Sequence, residues 1–165
     1  MGNHKTIPMS SAAFGDGGLI PREYTADGRN DSPPLEWGDP PPAARSFALI
    51  CDDPDAPRGT FVHWVLYNLP ADLRHVGPAL PQSPTLPNGA RQGTNSFGRL
   101  GYGGPSPPPG PQHRYQFKLY ALDTVVPLDT GATKDQLLEA MRGHTLAEGI
   151  LTGMYGRKPK EPPAR

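Results

Sequence analysis

The sequence predicts a mainly β fold, a β-sandwich with one or two peripheral helices in its C-terminal part. Three observations carry this. Apolar residues come in runs of strand length, or alternate with polar ones at a period of two. One segment alone has convincing helical periodicity. The 23 Pro and 20 Gly among 165 residues approach the share seen in disordered chains, yet they cluster between the patterned segments, as in a loop-rich β protein. The length suits one domain with a sizeable core, so 1–165 is read as a single unit with frayed tails at 1–6 and 158–165, the second starting beside Arg157.

Residues 1–45 read as short extended pieces punctuated by Asp27-Gly28, Asn30-Asp31 and Pro33-Pro34, with Leu35-Glu36-Trp37 as a brief apolar element. Ser46 to Cys51 is a continuous apolar run too short for a helix, hence a strand. Phe61 to Leu69 is a second strand, whose alternation puts Phe61, His63, Val65 and Tyr67 on one face. Residues 70–112 are polar and rich in Pro and Gly, a length that implies a functional loop or short hidden strands. His113 to Leu122 is the third strand, with His113, Tyr115, Phe117, Leu119 and Ala121 on its buried side. The helix starts at Thr133, which forms a capping box with Gln136. It carries Leu137, Leu138 and Met141 as its apolar stripe and stops at Gly143, with His144 placed to meet the helix dipole. Ile150 to Tyr155 reads as a closing strand.

Charge excludes some classes. Sixteen basic and sixteen acidic residues are scattered without a basic patch, so a nucleic-acid partner is not expected. Cys51 is the single cysteine, which rules out an internal disulfide framework, and its apolar neighbours mark it as a buried small hydrophobe. No stretch approaches the ~18 apolar residues of a membrane span, and no secretion signal is visible. A soluble cytoplasmic protein without stable membrane insertion is the expectation. The opening Met1-Gly2-Asn3-His4-Lys5-Thr6 does match the short N-myristoylation pattern, which six residues meet easily by chance.

Two blocks carry chemistry. Asp52-Asp53-Pro54-Asp55-Ala56-Pro57 leads into the strand bearing His63, and Gly104-Pro105-Ser106-Pro107-Pro108-Pro109-Gly110 leads into His113-Arg114-Tyr115. In each, a proline-stiffened loop delivers carboxylate, imidazole or phenol groups to a strand end, where a rigid scaffold presents ligand-binding groups. Asp53 and Asp55 serve equally well in an Asx-turn. His63 alone would read as a core histidine, but two imidazoles, a phenol and carboxylates converging on one cleft call for a ligand. Calcium is disfavoured because Pro54 breaks the loop spacing and no Glu closes it. The proline loop has no Walker lysine or dinucleotide fingerprint, and could also serve as a polyproline ligand for another domain.

These residues, together with Ser32-Pro33-Pro34-Leu35-x-Trp37 and the ending Gly143-His144-x-Leu146-Ala147 through Gly153-x-Tyr155-Gly156-Arg157, resemble the phosphatidylethanolamine-binding protein family, above all its bacterial and archaeal Raf-kinase-inhibitor-like branch. The resemblance covers nearly the whole chain. It implies a large antiparallel sheet packed on a smaller one, with a small anion pocket at one end that takes phosphate-like groups such as phosphoethanolamine head groups. Carried over residue by residue, Asp53, His63, Pro108, His113 and Tyr115 line it, with Asp55 beside them and Gly104 to Gly110 as the rim. A kinase or protease partner and a homodimer are also part of what the resemblance implies. Two departures stand out. Val62-His63 replaces the adjacent histidines common in animal members, and Ser106 stands where many prokaryotic relatives have Cys.

The leading expectation is a non-enzymatic binding protein for a small anionic or phosphorylated ligand, without cofactor, catalytic residue or metal. Protonated His63 and His113, ordinarily near pKa ~6.5, would offset the carboxylates beside such an anion. The alternatives are an acid–base enzyme such as a hydrolase using the Asp/His pocket, and a zinc site built from Asp53, Asp55, His63 and His113. The hydrolase lacks a nucleophile in an activating motif.

Overall fold

The period-two segments become long neighbouring strands of one sheet. The computed structural model describes residues 5–158, in which the chain forms β1 (Lys5–Thr6), β2 (Met9–Ser10), β3 (Leu35–Trp37), β4 (Ser46–Asp53), β5 (Phe61–Pro70), β6 (His75–Val76), β7 (Arg91–Gln92), β8 (His113–Leu122), α1 (Lys134–Met141) and β9 (Thr145–Tyr155). Among the described residues, six strands build a large sheet in the order β1-β9-β8-β4-β5-β7, and β2-β3-β6 build a smaller one. The pairing is antiparallel except for the short β1–β9 pair. A 3-10 turn covers Arg22–Tyr24.

Burial explains why β4 reads as an unbroken apolar run. Its eight residues are all buried, because both faces of the sheet are covered there. On one side Phe47, Leu49 and Cys51 pack with Trp64, Leu66, Phe117 and Leu119 against Leu35 and Trp37 of the small sheet. On the other, Ala48 and Ile50 pack with Val65 and Tyr67 against Leu137 and Met141 of α1. Burial pushes the Cys51 thiol well above its ordinary pKa, so it stays an unreactive hydrophobe.

The helix begins as its capping box predicts: the Gln136 amide N–H donates to Thr133 Oγ1 at 3.2 Å, and the Thr133 N–H donates to Gln136 Oε1 at 3.0 Å. Its buried stripe is narrower than expected. Leu137 and Met141 are one turn apart and buried, whereas Leu138, about 100° further round, is 37% exposed. His144 differs too, since its ring meets the Asp123 carboxylate at 2.7 Å instead of the end of the helix.

The face assignment of β5 requires correction. Cys51 pairs with Trp64 but Asp52 pairs with Val62, so His63 is an extra residue in the ladder, a β-bulge. Beyond it the alternation is reset: Val65 and Tyr67 turn to the α1 side, while His63 keeps company with Phe61 and Tyr115. The strand β9 starts five residues before the expected Ile150. Its Gly149 allows the N-terminal chain to cross closely, since a Cβ there would lie 2.5 Å from the Ile7 carbonyl oxygen.

The N-terminal tail is shorter than expected. Lys5 and Thr6 pair with Ala147 and Glu148 of β9, and Arg157 is held by several hydrogen bonds described below. Residues 1–4 of the myristoylation-like opening, and 159–165, lie outside the described residues. Among the described residues no helix is long and apolar enough to cross a membrane.

Candidate functional site

Two loops about fifty residues apart in sequence close on one another at the end of the large sheet. Asp53 ends β4, and its Oδ1 accepts the Asp55 N–H at 2.8 Å, which makes the Asx-turn a fact. Its other oxygen, Oδ2, meets His113 Nδ1 at 2.6 Å. One carboxylate thus shapes its own loop and fixes an imidazole on β8.

The bulge delivers the second imidazole. His63 Nδ1 lies 2.6 Å from the Gly103 carbonyl oxygen, and a carbonyl only accepts, so Nδ1 carries a proton and Nε2 is left as the variable nitrogen. The same logic applied to the carboxylate–His113 contact leaves Nε2 of His113 as its variable nitrogen. The His63 and Tyr115 rings meet edge-on at 5.1 Å, and His113 stacks on Tyr115 at 6.4 Å. Asp53, His63 and Tyr115 are at most 3% exposed, and His113 9%.

These side chains share a cavity of about 150 Å³. Asp53, His63, His113 and Tyr115 supply its polar lining, Ser106, Pro107 and Pro108 join them from the proline loop, and Ala56, Pro57, Phe61 and Phe97 supply apolar surface. Asp55, Gly104 and Gly110 are not on that lining. The Asp55 carboxylate instead takes the Arg114 backbone N–H and two guanidinium bonds at 2.8–3.0 Å. Gly104 borders the next cavity, and Gly110 donates its N–H to the Arg157 carbonyl. Phe97 was hidden from sequence reasoning. Its one hint is a large aromatic at 44% exposure in a polar, glycine-rich turn. A larger depression of about 630 Å³ beside α1 is lined by Asp129, Asp135 and Glu139, and holds none of these groups.

Electrostatics set the protonation states. Burial pulls the His63 pKa below its ordinary value, against the opposing pull of the Gly103 carbonyl and of Asp53. Burial, reinforced by Asp53, pushes the Tyr115 phenol far up, so it remains an O–H donor. The Arg114 hydrogen bonds draw Asp55 down to about 2. Zinc would need Asp55 turned inward. Among the described residues, no three of His, Cys, Asp and Glu gather as a metal-holding group.

The proline loop is braced from the chain's far end. Arg157 donates to Asp27 through Nε and Nη2 at 2.8–3.1 Å, to the Pro107 carbonyl at 3.1 Å and to Ser106 Oγ at 3.3 Å. Tyr155 adds its hydroxyl to Asp27 at 2.5 Å. The pocket wall is therefore fixed by charge-assisted bonds, not by proline stiffness alone.

A two-sheet fold with a buried Asp–His pair and a second histidine at the sheet's end defines a recognisable class of β protein. The family model for phosphatidylethanolamine-binding protein matches residues 10–156, and the chain belongs to that family. A UPF0098 protein of Methanothermobacter thermautotrophicus is 52% identical over 149 residues, 90% of this chain and 98% of the relative. The solved structure of a phosphatidylethanolamine-binding protein homologue from Chlamydia trachomatis matches with a TM-score of 0.85 at 39% identity, covering 93% of this chain and 99% of its own. Escherichia coli YbcL, described as a member of the mammalian family, matches at 0.86 and 32% identity over 92% and 99%.

Proposed function

We propose that the chain is a binding protein for a small phosphate-like or phosphorylated ligand, without turnover of its own, held in the cavity between the aspartate and proline loops. The observation that supports this reading is spare bonding capacity. Nε2 of His63, Nε2 of His113 and the Tyr115 hydroxyl line one cavity and have no partner among the described residues. Their side chains are buried but these atoms open on the cavity, and three such groups converging in one place suit a polyvalent oxygen ligand.

The charges then follow. Asp53 takes the Nδ1 side of His113 at 2.6 Å, which leaves Nε2 of that ring for the ligand. His63, neutral through desolvation, accepts from Nε2 and pairs with a P–OH group. Tyr115 donates its phenol proton. This set favours a phosphate monoanion over the dianion, and raising the pH strips the ligand's second proton (pKa about 6). Calorimetric titration of O-phosphoethanolamine at about pH 5.5 and about pH 8 tests it, because the ligand's proton is lost between them. Tighter binding in acid supports the reading, and equal or tighter binding in alkali contradicts it. A kinase or protease partner would engage this protein through the same cavity, and phosphate would then compete with it.

A further inference from the structure

We infer that this cavity is one half of a two-part site, and that its neighbour holds a carboxylate carried on the ester arm of the same phosphorylated ligand. The inference rests on the phosphate reading above and narrows its ligand class.

The neighbouring cavity, about 250 Å³, shares Phe97 and Ser106 with the first, so the two adjoin. Its chemistry is the reverse of the first. No Asp or Glu lines it, and Arg99 gives it a positive charge. The Arg99 backbone N–H bonds Asn95 Oδ1 at 3.2 Å, but its guanidinium has no partner among the described residues. Arg45 and Arg58, likewise without a carboxylate partner there, line neither cavity.

Two amides complete the set, and backbone partners fix their orientation. Asn30 Oδ1 accepts the Gly104 N–H at 2.7 Å, which leaves its NH₂ group open. Asn30 holds this pose at φ 62°, a strained backbone for a non-glycine residue. Gly104 must be glycine for the contact, since a Cβ there would lie 2.5 Å from Asn30 Oδ1. Gln82 Nε2 donates to the Tyr102 carbonyl at 3.0 Å, leaving Oε1 open. The cavity therefore offers a fork of guanidinium donors, an amide donor and one acceptor. Carboxylate is the anion that matches a single guanidinium in charge and geometry. The open Gln82 Oε1 suits an adjacent ammonium or hydroxyl. The ligand class is a phosphorylated hydroxy or amino acid, its phosphate at His63 and His113 and its carboxylate at Arg99.

O-phosphoserine and O-phosphoethanolamine differ by one carboxylate and make a matched pair of probes. At about pH 6 the wild-type chain should bind O-phosphoserine about tenfold tighter, the worth of one good charge-assisted pair. The exposed Arg99→Gln should erase that preference without changing O-phosphoethanolamine affinity, and Arg99→Lys should restore part of it. Equal wild-type affinities, or a preference that survives Arg99→Gln, overturn the second half-site while the phosphate reading stands. Failure of both probes to bind wild type overturns the phosphate reading and takes this inference with it.

Discussion

Asp52 and Asp53 are adjacent on β4, equally buried, and face opposite sides of the sheet. Asp52 meets Lys134 Nζ at 2.6 Å and Lys118 Nζ at 3.6 Å, on the side covered by α1. Asp53 meets an imidazole at 2.6 Å in a cavity. One carboxylate is saturated by permanent cations and ties helix to sheet. Its neighbour is paired through one nitrogen of an imidazole whose other nitrogen is not hydrogen-bonded to a described residue. Burial alone does not separate the two carboxylates; spare valence beside them does.

The contrast can be broken from the Asp52 side first. Asp52→Ala removes a charge-assisted bond from the helix–sheet junction and should lower stability by about 2 kcal/mol in urea unfolding, with O-phosphoethanolamine affinity unchanged in the folded protein. Loss of affinity with no loss of stability would reverse the roles assigned to the pair.

His113→Gln tests the other side. It removes a ligand-facing nitrogen from the cavity, and affinity should fall about tenfold while stability changes by less than about 1 kcal/mol. Arg157→Lys comes next. It breaks the fork that holds Asp27 and the Pro107 carbonyl, so affinity should fall about threefold through a looser wall, with the residual affinity no less sensitive to pH. A flattened pH profile in that variant would mean that Arg157 acts on the ligand's charge directly.

The smallest effect belongs to the Asp55–Arg114 pair, which is partly exposed. Asp55→Asn should alter stability by less than about 1 kcal/mol, since solvent screens such pairs. The sign follows from its lowered pKa: the contribution is present above the ordinary carboxylate value near ~4 and is lost as pH falls through about 2. Acid unfolding of wild type and Asp55→Asn should therefore converge at low pH.

Much of the site was legible because it obeys local rules. His113 and Tyr115 share a face by simple alternation, and prolines around Asp53 announce a fixed loop. His63 came to the right place for a reason that alternation misses, since the bulge that resets β5 has no glycine or other signature in Phe61-Val62-His63-Trp64. Asp55 was placed beside the pocket because an Asx-turn, a ligand contact and an ion pair all use the same residue; Arg114 decided among them. The ordering of Lys5, Thr6 and Arg157 depends on partners more than a hundred residues away, beyond any local pattern.

Arg157 also sets a schedule. During synthesis the chain emerges with both histidines, the aspartate loop and the proline loop long before the guanidinium that pins Ser106 and Pro107 to Asp27. Strands β4 to β8 all precede it in the chain, and the brace on the cavity wall is complete only once this arginine has been added. A chain clipped just before that residue would keep β9 in the sheet and lose the brace on Ser106 and Pro107.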